Sequence, residues 1–218
     1  MTVAAKICGL TDAASVAAAV ENGAAYVGFV FYGRSPRNVT PEEAATLAAA
    51  VPAHVEKVGL FVDPDDALIR SVLDAVSLEW IQLHGSETPE RVAEIKQKFN
   101  RKVMKAIPVA EKADFNAVTA YENVADMLLF DAKAPKTMAD ALPGGNGLVF
   151  DWQMMRGLTI SVPWMLAGGL TAENVTEAVT ISGAEIVDTS SGVEFEPGHK
   201  NPAAIVAFLT AVKAVKTN

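Results

Sequence analysis

Eight short, almost continuously apolar segments recur along the chain, beginning at Val3, Ala25, Glu56, Glu79, Lys102, Asp126, Pro163 and Ala184, and no other feature of the sequence restricts the fold as much. Segments this short, without polar alternation, read as strands buried on both faces, and such strands pair in parallel beneath covering helices. Successive starts lie 21 to 37 residues apart, enough for one strand, one helix and two connections. Helix-start signals fall in the gaps: Thr11-Asp12 before AASVAAAV, Thr40-Pro41-Glu42-Glu43, Asp63-Pro64, Thr88-Pro89-Glu90, and Thr171 before AENVTEAV. Short oxygen-bearing side chains there can accept from the first free N–H groups, and proline at the first helical position forfeits no hydrogen bond. A last amphipathic stretch, NPAAIVAFLTAVKAV, is expected to close the ring against the first helix. Eight strand–helix units in 218 residues specify an α/β protein, a single (β/α)8 TIM barrel, with one domain over residues 1–218. An open doubly wound sheet uses the same alternation but usually fewer strands. The glycines of PGGNG, from Pro143, do not lead a strand into a helix and so make no dinucleotide fingerprint.

A net charge of −8 without any long cluster of Lys and Arg argues against nucleic acid and against anionic membrane surfaces. The single cysteine excludes an internal disulfide, no leader-like segment opens the chain, and no run of 18 apolar residues occurs. A cytoplasmic protein is expected, in which the sequons at Asn38 and Asn174 have no consequence. His54, His84 and His199 are scattered without ligand spacing, so no metal is expected. The sequence does not choose between a monomer and a homodimer.

Barrels of this kind do their chemistry at the carboxyl ends of the strands. Those ends supply Cys8, Arg37, Asp63, His84, Asp131, Gly168-Gly169, and Asp188 to Gly192, including Ser190 and Ser191. Cys8 taken alone reads as core packing. Alternation puts Lys6 on its face, however, and a cation near a thiol at the barrel mouth favours the thiolate, a base or nucleophile. Asp188 and Asp131 are the candidate partners for Lys6. Asp131 is either a turn residue or a strand-end acid across the mouth from Cys8, an arrangement suited to moving protons on a small substrate. Arg37 is either a solvated charge or a fork for a substrate carboxylate. Gln82 and His84 share a strand face and are candidates to line the pocket. Two glycines before a helix start at Gly168-Gly169, with the hydroxyls and amides of DTSSGVE after the last strand, point to a phosphate site. The two longest loops, YGRSPRN and AKAPKTMADALPGGNG, are expected to cover or line the site. A Schiff-base aldolase using Lys105 and a non-catalytic phosphosugar-binding module are readings from other classes.

The segments KICGLT, GFVFYGRSPRNVT, KVGLFVD, IQLHG, LVFDW, LAGGLTAENV and DTSSGVE, in this order, resemble the phosphoribosylanthranilate isomerase family of tryptophan biosynthesis, from Lys6 to about Pro202. The resemblance implies a cofactor-free Amadori rearrangement of a small phosphoribosyl substrate, N-(5-phosphoribosyl)anthranilate, to 1-(2-carboxyphenylamino)-1-deoxyribulose 5-phosphate. By motif it makes Asp131 the general acid that opens the ribose ring and Cys8 the base that takes the C2 proton. It assigns Arg37 to the anthranilate carboxylate, and Gly168, Gly169 and Asp188 to Gly192 to the phosphate. Three positions depart from the usual pattern: Asp12 stands where arginine is usual, Asn146 stands in GGNG, and Thr189 in VDTSSG. A histidine-pathway or dual-substrate phosphoribosyl sugar isomerase shares this barrel and chemistry. In that family, though, the first strand carries a carboxylate base where this chain has a cysteine.

Overall fold

The computed structural model describes residues 2–135, 137 and 142–215. Eight parallel strands, β1 Ala4–Cys8, β2 Tyr26–Phe31, β3 Glu56–Phe61, β4 Trp80–Leu83, β5 Lys102–Val109, β6 Met127–Ala132, β7 Trp164–Leu166 and β8 Ile186–Thr189, pair in sequence order. The ring closes where β8 pairs with β1, with Lys6 opposite Asp188. All eight apolar segments therefore form strands, starting within two residues of where each segment begins.

Alternation sorts the side chains onto two faces. Val58, Trp80, Met104, Ala106, Met127, Leu129, Met165 and Ala167 fill the inside of the ring. Residues between them, such as Ile7, Val27, Phe29, Ile81, Leu83, Val103, Leu128 and Phe130, join the apolar layer under the helices. Those helices are α1 Ala13–Glu21, α2 Pro41–Ala48, α3 Asp66–Ala75, α4 Pro89–Phe99, α5 Val118–Tyr121 after a 3-10 turn, α6 Val175–Ser182 and α7 Pro202–Ala214. Helix α7 buries Ile205, Phe208, Leu209 and Val212 and packs beside α1, as its pattern predicts.

The helix starts separate into those set by local chemistry and those set by neighbours. Asp12 accepts from the Ser15 N–H at 2.8 Å, and Thr40 and Thr88 cap α2 and α4 with proline next. Asp63 does not cap α3. Its backbone is left-handed (φ 45°), its carboxylate accepts from the Ser86 N–H, and Asp65 takes over the cap, so Pro64 is not the first helical residue. Thr171 likewise does not start α6: Asn174 bridges the Thr171 N–H and the Gly169 carbonyl, and the helix begins at Val175. Between β6 and β7 the described helical piece is only a 3-10 turn, Trp152–Met155. After β8 come a 3-10 turn, Ser191–Val193, and a short hairpin, β9 Glu194–Glu196 and β10 His199–Lys200.

Candidate active site

The carboxyl ends of the strands surround a cavity of about 720 Å3, opening included. Cys8, Arg37, His84, Asp131, Gly168, Gly169 and Asp188 to Gly192 all line it. So do Leu142 to Leu148, which carry the glycine-rich loop over the mouth; residues 136 and 138–141 of that loop lie outside the described residues.

Lys6 is fully buried inside the ring, directly below Cys8 on the same strand face, and its ammonium donates to Asp188 Oδ1 at 2.9 Å. Burial opposes charge on both partners, but Asp188 and Cys8 outweigh it at Lys6, whose ammonium is held above its ordinary range. Burial also pushes the Asp188 carboxyl up. We take the pair as ionised, because a neutral Asp188 would leave a buried ammonium unpaired. At Cys8 burial pushes the thiol up, and the neighbouring Lys6 ammonium pulls the other way, towards the thiolate. The sulfur has room only because Gly28 lies beside it on β2: a β-carbon there would sit 2.8 Å from Sγ.

Across the mouth, Asp131 Oδ2 lies 3.2 Å from His84 Nε2, and His84 Nδ1 lies 3.0 Å from Gln82 Nε2. Asp131 Oδ1 also accepts from the Ala132 N–H. Gln82 is therefore not on the cavity wall; it is fully buried one layer lower and reaches the site through His84, with its own Oε1 unpartnered. The backbone at Gly144 passes so close that a β-carbon would meet Asp131 Oδ2 and His84 Nε2 at 2.6 Å.

On the β7–β8 side, Gly168 and Gly169 have φ of +90° and +58°, values that only glycine adopts freely. A β-carbon on Gly168 would also lie 2.8 Å from the Ala132 nitrogen. Thr189 Oγ1 donates to the Leu170 carbonyl at 2.7 Å and Ser190 Oγ to the Cys8 carbonyl at 3.0 Å, stitching the two loops together and to β1. The N–H groups of Gly169, Ser191 and Gly192 find no acceptor among the described residues. Converging free amides at the ends of β7 and β8 suit an anion.

Arg37 is not a solvated charge: it is 5% exposed, and its Nε and Nη2 donate to Glu194 at 2.7 and 2.8 Å. Glu194 also accepts from Lys200 Nζ at 2.7 Å. Burial raises the Glu194 pKa, but the two cations prevail and hold its carboxyl below the usual range, while burial pulls Lys200 down.

Sequence reasoning passed over Glu194, Lys200 and Glu87, whose partners are assembled only by folding. It also proposed Lys105 as an aldolase lysine. Lys105 faces away from the cavity, into the helix layer, where it donates to Glu87 at 2.8 Å and to the Gly85 carbonyl at 2.7 Å. Glu87 in turn accepts from the Asp63 and Gly85 N–H groups, so this pair pins the loop that carries His84. Asp12, at the position where the pattern departs, caps α1, and Asn146 folds back on Leu142 through two hydrogen bonds. Among the described residues no helix is long and apolar enough to cross a membrane, and no three His, Cys, Asp or Glu side chains gather as a metal-binding group.

The family model described as N-(5'phosphoribosyl)anthranilate (PRA) isomerase matches residues 5–211. An N-(5'-phosphoribosyl)anthranilate isomerase of Rhodospirillum centenum is 56% identical over 215 residues, covering 99% of this chain and 100% of that protein. Among solved structures, monomers of the dimeric enzyme from Thermotoga maritima superpose with a TM-score of 0.81 at 34% identity, covering 97% of this chain and 98% of theirs. A phosphoribosyl anthranilate isomerase in complex with reduced 1-(o-carboxyphenylamino)-1-deoxyribulose 5-phosphate gives a TM-score of 0.81 at 32% identity, with the same coverage.

Proposed function

The chain belongs to the N-(5'-phosphoribosyl)anthranilate isomerase family, and from that premise we propose how its own residues carry out the Amadori rearrangement in tryptophan biosynthesis. The observation that carries the reading is one cavity with Cys8 and Asp131 on its wall and a cradle of free amides at the ends of β7 and β8. Phosphate seats on Gly168, Gly169 and Ser190 to Gly192, and Arg37 meets the anthranilate carboxylate with the nitrogen that Glu194 leaves free.

With both ends held, the ribose lies between acid and base. Asp131 donates a proton to the ring oxygen as the C1–O bond breaks, and the substrate nitrogen supplies the electron pair that forms the Schiff base. The Cys8 thiolate then removes the proton on C2, the electrons move toward nitrogen, and the resulting enolamine tautomerises to the aminoketose. Lys6 stabilises the sulfur's negative charge from below, which makes the thiolate accessible although burial disfavours it. His84 serves Asp131 in both states. Ionised Asp131 accepts from Nε2–H while Gln82 donates to Nδ1. Protonated Asp131 donates to Nε2, and the Gln82 amide, turned over, offers its unpartnered oxygen to Nδ1–H.

We place the activity in the cytoplasm, in a chain acting as one barrel domain over residues 1–218, alone or as a homodimer; the one cysteine and the unbroken strand ring support this. The test is the fluorescence decay of phosphoribosylanthranilate on adding the protein. Decay abolished by Cys8→Ala and by Asp131→Asn supports the assignment, and near-normal kcat in either variant overturns it.

A further inference from the structure

Glu194 lies at the meeting point of two loops that the proposed reading assigns to opposite ends of the substrate. One of its oxygens accepts from Arg37 Nε and from Lys200 Nζ, both at 2.7 Å, and the other accepts from Arg37 Nη2 at 2.8 Å. Lys200 continues the connection: Nζ donates to the Ser190 carbonyl at 2.9 Å and approaches Ser190 Oγ at 3.1 Å, and that hydroxyl donates to the Cys8 carbonyl. The side chains of Arg37, Glu194 and Lys200 are 6%, 4% and 0% exposed, so these are buried contacts, little screened by solvent. The hairpin that carries them is packed onto the Arg37 loop, since a β-carbon at Gly198 would meet the Pro36 carbonyl oxygen at 2.4 Å, and Thr11 Oγ1 donates to the Gly198 carbonyl.

This arrangement limits what Arg37 can offer. A guanidinium has five N–H donors. Nε is taken by Glu194, and Nη2 is shared between Glu194 and the Gly145 carbonyl at 3.1 Å. Nη1 has no partner among the described residues, and Arg37 lines the cavity, so an incoming carboxylate is met end-on by Nη1.

We propose that Glu194 is a positioning residue that joins the carboxylate anchor, Arg37, to the phosphate anchor, the Ser190–Gly192 loop, and so sets the spacing of substrate the cavity accepts. It rests on the reading of Arg37 and of the amide cradle given above. Glutamine at this position keeps the shape but presents an NH2 group to cations, leaving two buried cations without an anion, so both anchors loosen at once.

The experiment measures dissociation constants by calorimetry for two ligands: reduced 1-(o-carboxyphenylamino)-1-deoxyribulose 5-phosphate, and the same compound made from aniline, which lacks the ring carboxylate. Wild-type protein is expected to favour the carboxylated ligand on the order of tenfold or more, through a charge-assisted bond to Arg37. Glu194→Gln is expected to weaken both ligands and to shrink that ratio several-fold, with KM rising more than kcat falls; Glu194→Asp, which restores the charge, recovers part of each. Lys200→Met, which leaves the Arg37–Glu194 pair in place, is expected to weaken both ligands by the same factor. If wild type binds the two ligands equally, the reading of Arg37 fails and the link falls with it. If wild type separates them and Glu194→Gln keeps the wild-type ratio, or leaves the aniline ligand unaffected, the link alone is overturned. Should Glu194→Gln not fold, Glu194→Asp carries the test: a loss on both ligands together with a reduced ratio supports the link, and an unchanged ratio, or an unaffected aniline ligand, overturns it.

Discussion

The two ends of the strand ring hold their charges differently. At the amino end, Glu56 accepts from Trp80 Nε1 and from Lys102 Nζ, the latter at 2.9 Å, and Lys102 lies 5.0 Å over the Trp80 ring. These charged groups stay in contact with water: the Lys102 and Glu56 side chains are 53% and 32% exposed. At the carboxyl end, Lys6–Asp188 and Arg37–Glu194 are withdrawn from it. Exposed pairs contribute little to stability, whereas a buried pair costs desolvation and becomes strongly destabilising when one partner is removed. The end that would perform the chemistry carries the unfavourable electrostatics, and the apolar layers of Val58, Met104, Met127 and Leu129 beneath it supply the compensating burial.

Substitutions at the two ends should therefore separate function from stability, and the largest effect belongs to the mouth. Cys8→Ala and Asp131→Asn are expected to lower kcat by about a thousandfold or more, within the range of a lost general base or acid, while thermal midpoints move by only a few degrees. A midpoint collapse matching the activity loss would remove the distinction between the ends. Next in size, Lys6→Met strands Asp188 inside the ring and should cost about 3 kcal/mol or more in chemical denaturation. A cost below about 1 kcal/mol would mean the pair is not ionised as described.

The third expectation concerns pH. An unfolded cysteine loses its proton near pH 8.5, and burial delays that loss in the folded protein. Above that pH the unfolded chain binds fewer protons than the native one, so stability contributed by the neutral Cys8 thiol is present below this range and lost as pH rises through the folded pKa. The midpoint of wild type should fall more steeply than that of Cys8→Ala on going alkaline, while wild-type kcat/KM rises over the same range. Parallel melting curves for the two proteins would count against the buried thiol. The smallest effect lies at the other end: Lys102→Ala should change stability by about 1 kcal/mol or less and leave turnover unaltered.

What could be read from the sequence follows the same physical division. Strands were legible because apolar runs of that length admit few other structures, and the shared face of Lys6 and Cys8 follows from alternation alone. The caps at Asp12, Thr40 and Thr88 were legible because donor and acceptor lie three residues apart. Asp63 failed as a cap because Ser86, 23 residues away, competes for its carboxylate. Glu194 closes the segment DTSSGVE, but nothing local marks it as a partner of Arg37. Its partner Arg37 is 157 residues distant, and one glutamate in VEFEPGHK looks like any other until the ring closes. Arg37 itself was seen as a fork, but its partial occupation depends on that same distant contact.

Gly28 extends the argument to redesign. Standard stabilisation practice replaces a strand glycine with a residue of higher β propensity, and by propensity tables this one is an obvious target. Here the missing methyl is the space occupied by the sulfur of the neighbouring strand, with Lys6 Cε only 3.3 Å from the same point. An alanine would gain backbone stiffness and displace the sulfur proposed above as the base, so the space at this position is reserved for a side chain of another segment of the chain.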